Sequence, residues 1–361
     1  MPTSLTRTAD ERINWVSSIP FLLVHAIPLL AVFTGVTTRA LVLGAVLYLV
    51  RMFAITAGYH RYFSHRSYRV SRPVQLLIAA VGTTAVQKGP LWWASHHRAH
   101  HRYSDSELDI HSPQKGFWWS HVGWILCDKY SETDLDAVRD LAAFPELRFL
   151  DRFNAIGPWA LGVLSFAIAG WSGLVVGFFG STVLLWHATF TVNSLNHTFG
   201  TRRYATSDTS RNNVLLALLT FGEGWHNNHH HFPASARQGF YWWEIDVSWY
   251  ALRALRALRI VSDVRQPSAA TLESNRVRDG AFDLGMFRAA WRRAGLAVNR
   301  SRATLAVPVS AAGTSLAAHH ASLEAAIRTK RDALEATVHA SLEAAEELTR
   351  ARQRAARGIP G

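Results

Sequence analysis

The run GEGWHNNHHHF, Gly222 to Phe232, crowds four histidines into six positions: His226, His229, His230 and His231. A second run, SHHRAHHRYSD from Ser95 to Asp105, holds His96, His97, His100 and His101, and HRYFSH adds His60 and His65. Of the 18 histidines, 14 lie between His60 and His231. Imidazole is the commonest ligand for transition metals, so clusters at this density point to metal binding. On a helix, positions i, i+3 and i+4 share a face. Counted along the chain, with HRYFSH first, only His97, His100 and His101 meet that spacing in the second run and only His226, His229 and His230 in the third. Each trio is expected to converge on one point, leaving His96 and His231 outside it. His60 and His65 stand about 140° apart on an ideal helix, so they serve two metals or the helix ends between them. In NSLNH, Asn193 and His197 are i, i+4 and share a face that Asn196 does not.

Eight clustered imidazoles and His197 exceed the three or four ligands that one zinc takes, which suggests two metals with open positions. Imidazole suits iron, zinc, copper and nickel. A neutral shell does not compensate a highly charged ion, so carboxylates are expected behind the rings, accepting their second N–H. Asp105, Glu107, Asp109 and Glu223 are the candidates, foremost Asp105 and Glu223.

The elements that position these residues are apolar. Four stretches approach the roughly 20 residues a helix needs to span a bilayer: about Val16 to Gly35, Leu41 to Gly58, Ala155 to Gly170 and Gly173 to Val192. The turns within each pair, VTTRA and WSG, are short. Val74 to Ala85 is too short to span and is expected to lie in the interface or to dip in and return, and the Trp-rich GFWWSHVGWIL suits the headgroup zone. The segment between spans two and three carries Arg61, Arg66, Arg69, Arg72, Lys88, Arg98 and Arg102, whereas the two hairpin turns carry only Arg39. By the positive-inside rule that segment and both termini are cytoplasmic. His60, His97, His197 and His226 then fall on one side of the membrane. Arg51, inside span two, is either a group that binds acids or carbonyls near the site or a side chain that snorkels to the interface. His25 and His187, also inside spans, read as hydrogen-bonded structural residues.

The net charge of +12 fits a basic membrane face. No groove-reading motif accompanies it, which argues against nucleic acid. The single cysteine, Cys127, excludes an internal disulfide and a thiolate metal cluster. The N-terminus lacks a signal-peptide pattern, so the first apolar run is expected to be retained as an anchor. Residues 1–264 read as the membrane domain and 265–361 as a cytosolic extension, helical from about 314 to 357. HASLEAA recurs there at an offset of 19 residues, which is not a heptad multiple.

GYHRYFSH, HRAHH, NSLNH and GEGWHNNHH, in this order, resemble the histidine boxes of the membrane fatty acyl desaturases, above all the Δ9 stearoyl-CoA type and its bacterial relatives. The likeness covers about residues 15–260. It implies an all-α integral membrane protein with four transmembrane helices in two hairpins under a cytosolic helical cap carrying a histidine-ligated di-metal site. It implies two iron ions on His60, His65, His97, His100, His101, His197, His226, His229 and His230, with Asn193 holding a bridging water. It implies that a saturated acyl chain, O2 and two electrons yield a cis-alkene, probable position Δ9, and two waters, since an unactivated methylene yields to no acid or base. The chain departs from the animal enzymes at Ser95 and His96, where they carry Arg-Asp, so an acyl group on a membrane lipid competes with acyl-CoA as the substrate. It also has Ile110 inside DIH, where relatives often have proline. Arg61, Arg66, Lys88 and Arg98 are candidates for holding a head group's phosphates. No fused haem or iron–sulfur motif is present, so a separate ferredoxin or cytochrome b5-type carrier with its reductase is expected to dock on the basic face. The resemblance points to a bacterial inner membrane. The rival readings are a di-iron hydroxylase or ketolase, a zinc membrane hydrolase, which lacks its HExxH motif here, and a metal sensor or transporter.

Overall fold

The computed structural model describes residues 5–280, together with 328 and 332. The helix expected over 314–357 and its repeats therefore lie outside the described residues, apart from those two positions. The chain divides into two compact units, Met1–Ala281 and Phe282–Gly361. The first contains every candidate site residue. Among the described residues its regular elements are helices and one short antiparallel pair, β1 (Arg69–Val70) and β2 (Val261–Ser262), in which Arg69 faces Ser262.

Helix α1 (Ile19–Thr34) is apolar but shorter than a full span. Helix α2 (Thr38–Ser64) is long and apolar enough to cross a membrane, and so is the stretch Ile156–His197. The latter is not straight. Ala169 and Gly170 leave helical geometry, with Gly170 at φ 61, a conformation glycine adopts without a Cβ penalty. The break separates the Ile156–Ser172 arm from residues 173–197. It meets the turn between α1 and α2: Ser172 Oγ donates to the Gly35 carbonyl at 3.0 Å, and Thr37 N donates to Ser172 Oγ at 3.2 Å. Thr37 also caps α2 by accepting from Ala40 N at 3.2 Å. A Cβ at Gly44 would sit 3.4 Å from the Gly177 carbonyl, so small residues let these two helix backbones approach. Large apolar side chains such as Leu29, Phe33, Trp159 and Val163 are exposed on the outside of these helices. That surface is what a lipid-facing belt requires.

Arg51 settles into neither expected role. It is buried and saturated between helices: Nη1 donates to Thr182 Oγ1 at 2.7 Å, Nη2 to Ser181 Oγ at 2.6 Å and Nε to the Leu47 carbonyl at 3.0 Å. It ties α2 to residues 181–182 and reaches neither the interface nor the histidines. The short apolar piece becomes α3 (Arg72–Thr83), a helix of 12 residues. Helix α4 (Pro90–Tyr103) carries the second histidine run. Its start is fixed by Asp151, whose Oδ1 accepts from both Leu91 N and Trp92 N at 2.9 Å. Gly89 is required there, because a Cβ would lie 2.2 Å from that carboxylate. In the Trp-rich tract, α5 (Phe117–His121) leaves Trp118 exposed while Trp119 and Trp124 are buried. The third run forms α6 (His226–His231), and α7 (Val247–Ala257) follows, capped by Asp246.

Candidate metal centre

The nine histidines assemble, but not as two convergent trios. Ligand nitrogens of His60, His65, His97, His101 and His229 lie within 4.8 Å of one another, and those of His100, His197, His226 and His230 form a second such group. Each expected trio is split. His97 and His101 face the five-ring cluster while His100 faces the four-ring cluster; His226 and His230 face the four-ring cluster while His229 crosses to the other. The i, i+3 and i+4 positions spread over about 100° of a helix surface, wide enough to address two points. The pair at i, i+4 shares one cluster and the intervening residue reaches the neighbouring one.

His60 and His65 meet for a different reason. Residues Ala54–Ser64 of α2 are wound as a π-helix, and His65 N donates to the His60 carbonyl at 3.2 Å. An i→i+5 hydrogen bond puts residues five apart on one face. Their ring centroids are 4.8 Å apart. Of the two expectations, the helix end holds, since the helix stops at Ser64 with His65 as its cap, and the two rings share one cluster.

The donor atoms fit metal ions. Within the five-ring cluster, Nε2 of His229 is 3.0 Å from that of His60 and 2.9 Å from that of His101, and His65 and His97 are 2.8 Å apart. In the four-ring cluster, Nε2 of His197 and of His226 are 3.0 Å apart. Ligands about 2.1 Å from one ion and at right angles to each other lie roughly 3.0 Å apart. Carboxylates fix the tautomers that make these nitrogens lone-pair donors. Nδ1 of His60 is 2.5 Å from Glu223, that of His197 3.2 Å from Asp105, that of His100 3.1 Å from Asp109 and that of His230 2.7 Å from Asp208. With its Nδ1 so occupied, His230 Nε2 is buried with no hydrogen-bond partner. Opposed lone pairs and an orphaned nitrogen are what a bound cation satisfies.

Electrostatics point the same way. Burial, reinforced by the neighbouring rings, pushes His65, His97, His101, His226 and His229 well below the usual imidazole range. Burial also outweighs Asp208 in lowering His230 to about 4. These rings are neutral at physiological pH, the form that binds metal.

Glu223 and Asp105 stand where the sequence suggests, and Asp109 joins them. Glu107 is exposed and takes no part. Asp208, which no motif marked, is closer to its ring than Asp105 or Asp109 is to its own. His111 is a further buried ring, its centroid 4.3 Å from that of His100 in a tilted contact and its Nδ1 3.7 Å from Asp109. The histidines expected to be excluded are excluded: His96 Nδ1 lies 2.8 Å from the Trp92 carbonyl, and His231 Nε2 lies 2.8 Å from that of Thr271 while its ring stacks on Tyr204. Asn193 is half-buried, four residues before His197.

The head-group candidates divide. Arg61 is fully buried between Glu223 at 3.1 Å and Asp246 at 2.9 Å, and donates to the Ala236 carbonyl. It is a strut behind His60 and is closed to any head group. Arg98 donates to the Phe63, Ser64 and Ala137 carbonyls and to Asp140, so its guanidinium is committed to bracing α4. Lys88 is exposed, and Arg66 is partly exposed beside Asp140.

Comparison with known proteins gives the same assignment. The fatty acid desaturase family model matches residues 37–269. The sn-1 stearoyl-lipid 9-desaturase of Anabaena variabilis is 38% identical over 73% of this chain and 97% of its own length. The Delta-9 acyl-lipid desaturase 2 of Arabidopsis thaliana is 39% identical over 72% of this chain and 85% of its own. An acyl-CoA 5-desaturase of Anemone leveillei is 40% identical over 60% of this chain and 68% of its own. With two histidine clusters at the ends of apolar helices and this extent of similarity, the chain belongs to the fatty acid desaturase family.

Proposed function

We propose that this protein is a membrane Δ9 desaturase acting on an acyl group carried by a membrane lipid, with two iron ions in the five-ring and four-ring clusters. The observation that carries the reading is the division of nine buried imidazoles into two adjoining groups, each with free Nε2 donors and carboxylates behind them. The relatives named for acyl-lipid 9-desaturation, and Ser95 and His96 in place of a charged pair, favour a lipid carrier over acyl-CoA. Both side chains are turned inward, to the Trp92 carbonyl.

The reaction balances as a saturated chain, O2, two electrons and two protons giving a cis-alkene and two waters. The irons supply the oxidising power that removes hydrogen from an unactivated methylene. The protein's own residues hold and orient. Glu223, Asp105, Asp109 and Asp208 keep each ring's Nδ1 protonated and its Nε2 directed inward. Arg61 and Asp246 hold Glu223. Trp93 stacks on His97 at 4.9 Å and donates to Gln87, which reaches Thr189, so an aromatic wall screens the five-ring cluster from water. Asn193 is assigned to a water on the four-ring side.

The helices are placed as four spans in two hairpins, with α1 and α2 forming one and the segments either side of Gly170 the other. Both termini then face the cytoplasm of a bacterial inner membrane, and residues beyond the desaturase domain form a C-terminal extension. Electrons come from a separate ferredoxin or cytochrome b5-type carrier docking on the basic face. Lys88 and Arg66 are the residues left for the lipid head group.

The test is expression in a host unable to make unsaturated fatty acids, with chain analysis by mass spectrometry and chemical location of double bonds. New Δ9 cis-monoenes that vanish in His229→Ala are expected. Hydroxylated chains would move the reaction to hydroxylation, and one zinc per chain in the purified protein would overturn the di-iron reading.

A further inference from the structure

Three histidines outside both clusters form a chain of their own. His25 Nε2 lies 3.1 Å from His187 Nε2, and His187 Nδ1 lies 3.0 Å from His121 Nε2. At one end His25 Nδ1 is 2.8 Å from the Phe21 carbonyl. At the other, His121 Nδ1 is 3.0 Å from Ser194 Oγ, which is itself 3.1 Å from the Phe190 carbonyl. The chain thus links α1, residues 187–194 and α5. His25 and His187 are hydrogen-bonded, as their sequence suggests, but the arrangement does more than fasten helices.

Proton counting exposes this. Five contacts strung between two carbonyl acceptors require five hydrogens. A neutral imidazole brings one N–H and a hydroxyl one O–H, so the neutral chain holds four. The Phe21 carbonyl can only accept, so His25 donates from Nδ1. Every later group then turns the same way, and the Ser194 hydroxyl is drawn off Phe190 onto His121. One added proton completes all five contacts, because an imidazolium donates from both nitrogens. Each ring can accept at one nitrogen and donate from the other, so the extra proton is shared along the chain. No carboxylate touches the three rings among the described residues; their neighbours are Phe21, Trp186, Phe117, Trp118 and Phe190. A charge among aromatic rings without a counter-ion is costly. The Phe21 end is closed by its carbonyl. The Ser194 end lies one residue from Asn193 and three from His197 of the four-ring cluster.

We propose that His25, His187 and His121 store one proton and release it past Ser194 toward the metal centre, supplying one of the two protons that reduction of O2 consumes. This rests on the desaturase reading above. The step is a proton transfer only: an N–H bond of the chain breaks, an O–H bond of product water forms, and nothing in the chain is oxidised or reduced.

Two measurements test it. In the full-length protein, loaded with diamagnetic zinc and labelled with 15N at histidine, ring-nitrogen NMR between pH 8 and pH 5 is expected to show the three rings shifting together at one midpoint. In His187→Gln the two remaining rings are expected to respond independently. Three rings fixed in neutral tautomers, or titrating independently in the wild type, would overturn the store. In the iron-loaded enzyme, His187→Gln should lower double bonds formed per O2 consumed at least threefold with KM for the acyl substrate unchanged. A glutamine side chain still bonds to both neighbours but cannot pass a proton through. An unchanged ratio, with or without a lowered Tm, would reduce the chain to a structural tie and sink the proposal. Rings that titrate together in a wild-type protein forming no alkene would instead sink the desaturase reading and leave the store standing.

Discussion

The two histidine clusters differ in what stands behind them. The five-ring cluster has one carboxylate in contact with its rings, Glu223, and that carboxylate also serves Arg61. The four-ring cluster has three, Asp105, Asp109 and Asp208, and no arginine among them. An ion in the first is held by ligand number in a nearly neutral shell. An ion in the second is held by fewer nitrogens with more negative charge close by, and has more room for a further ligand. On the proposed di-iron reading, the second would better tolerate a rise in metal charge and would suit the position where a water or O2 enters. In sequence, Asn193 and Ser194, where the chain of three further histidines ends, stand just before His197 of that cluster.

Removing a ring is the strongest way to break the comparison. His226→Ala leaves three nitrogens in the four-ring cluster and should bring bound metal down to about one ion per chain, with desaturation below about 1% of wild type. His65→Ala leaves four nitrogens in the five-ring cluster and should keep close to two ions through the same dialysis, though activity falls at least about tenfold. Elemental analysis of both variants decides. Equal metal loss would mean that ligand number does not distinguish the sites.

Stability separates the clusters next. Arg61 is buried with two carboxylates against it, and breaking a buried ion pair costs about 3–5 kcal/mol. Arg61→Met should lower Tm and loosen metal only on the five-ring side, whereas Lys88→Ala should leave Tm unchanged and act, if at all, through KM for the lipid. Carboxylate changes come after that. Replacing a residue that orients a metal-binding histidine typically costs 10–100-fold in affinity, about 1.4–2.7 kcal/mol. Asp208→Asn should weaken one ion by about that factor in a chelator titration and leave the other alone; Glu223→Gln should do the reverse. Both ions weakening together in either variant would show the clusters to be one coupled site.

Much of this was legible from residue type and spacing, and the gaps have physical causes. All nine rings could be named because histidine is rare in apolar proteins and two of the three boxes repeat a helical spacing. Their division into five and four was hidden by an assumption that one helix face addresses one point. The π-helix of Ala54–Ser64 left a single trace, the five-residue spacing of His60 and His65, which an α-helix cannot put on one face. Asp208 sits in the irregular segment between His197 and α6, where no periodicity marks it. An isolated bridge from Thr201 to Asn212 folds that segment back against the four-ring cluster. Arg61 misled because a basic residue beside a span end normally faces lipid head groups. Here Gly222, at φ 116, admits Asp246 close to the same guanidinium, and the chain that buries it lies far along the sequence.

The smallest effect concerns acid. In the metal-free protein six of the buried rings resist protonation, with His230 lowered to about 4 and His65, His97, His101, His226 and His229 well below their usual range. Unfolded histidines take up protons near pH 6.5. Between that pH and the folded values the unfolded state binds more protons, so stability rises with pH and is lost on acidification, by up to about 1.4 kcal/mol per pH unit for each ring held neutral. Bound metal should flatten the curve, since a coordinated nitrogen has no lone pair to protonate until the ion leaves. Melting curves at pH 7.5, 6.5 and 5.5, with and without metal, should therefore diverge as pH falls. Because Asp208 partly offsets burial at His230, Asp208→Asn removes that support, and the metal-free curve should steepen below pH 5. Glu223→Gln acts on the other cluster and should leave the His230 contribution unchanged. If the two variants shift the metal-free curve alike, the carboxylates act through the whole fold and the asymmetry between the clusters has no bearing on their protonation.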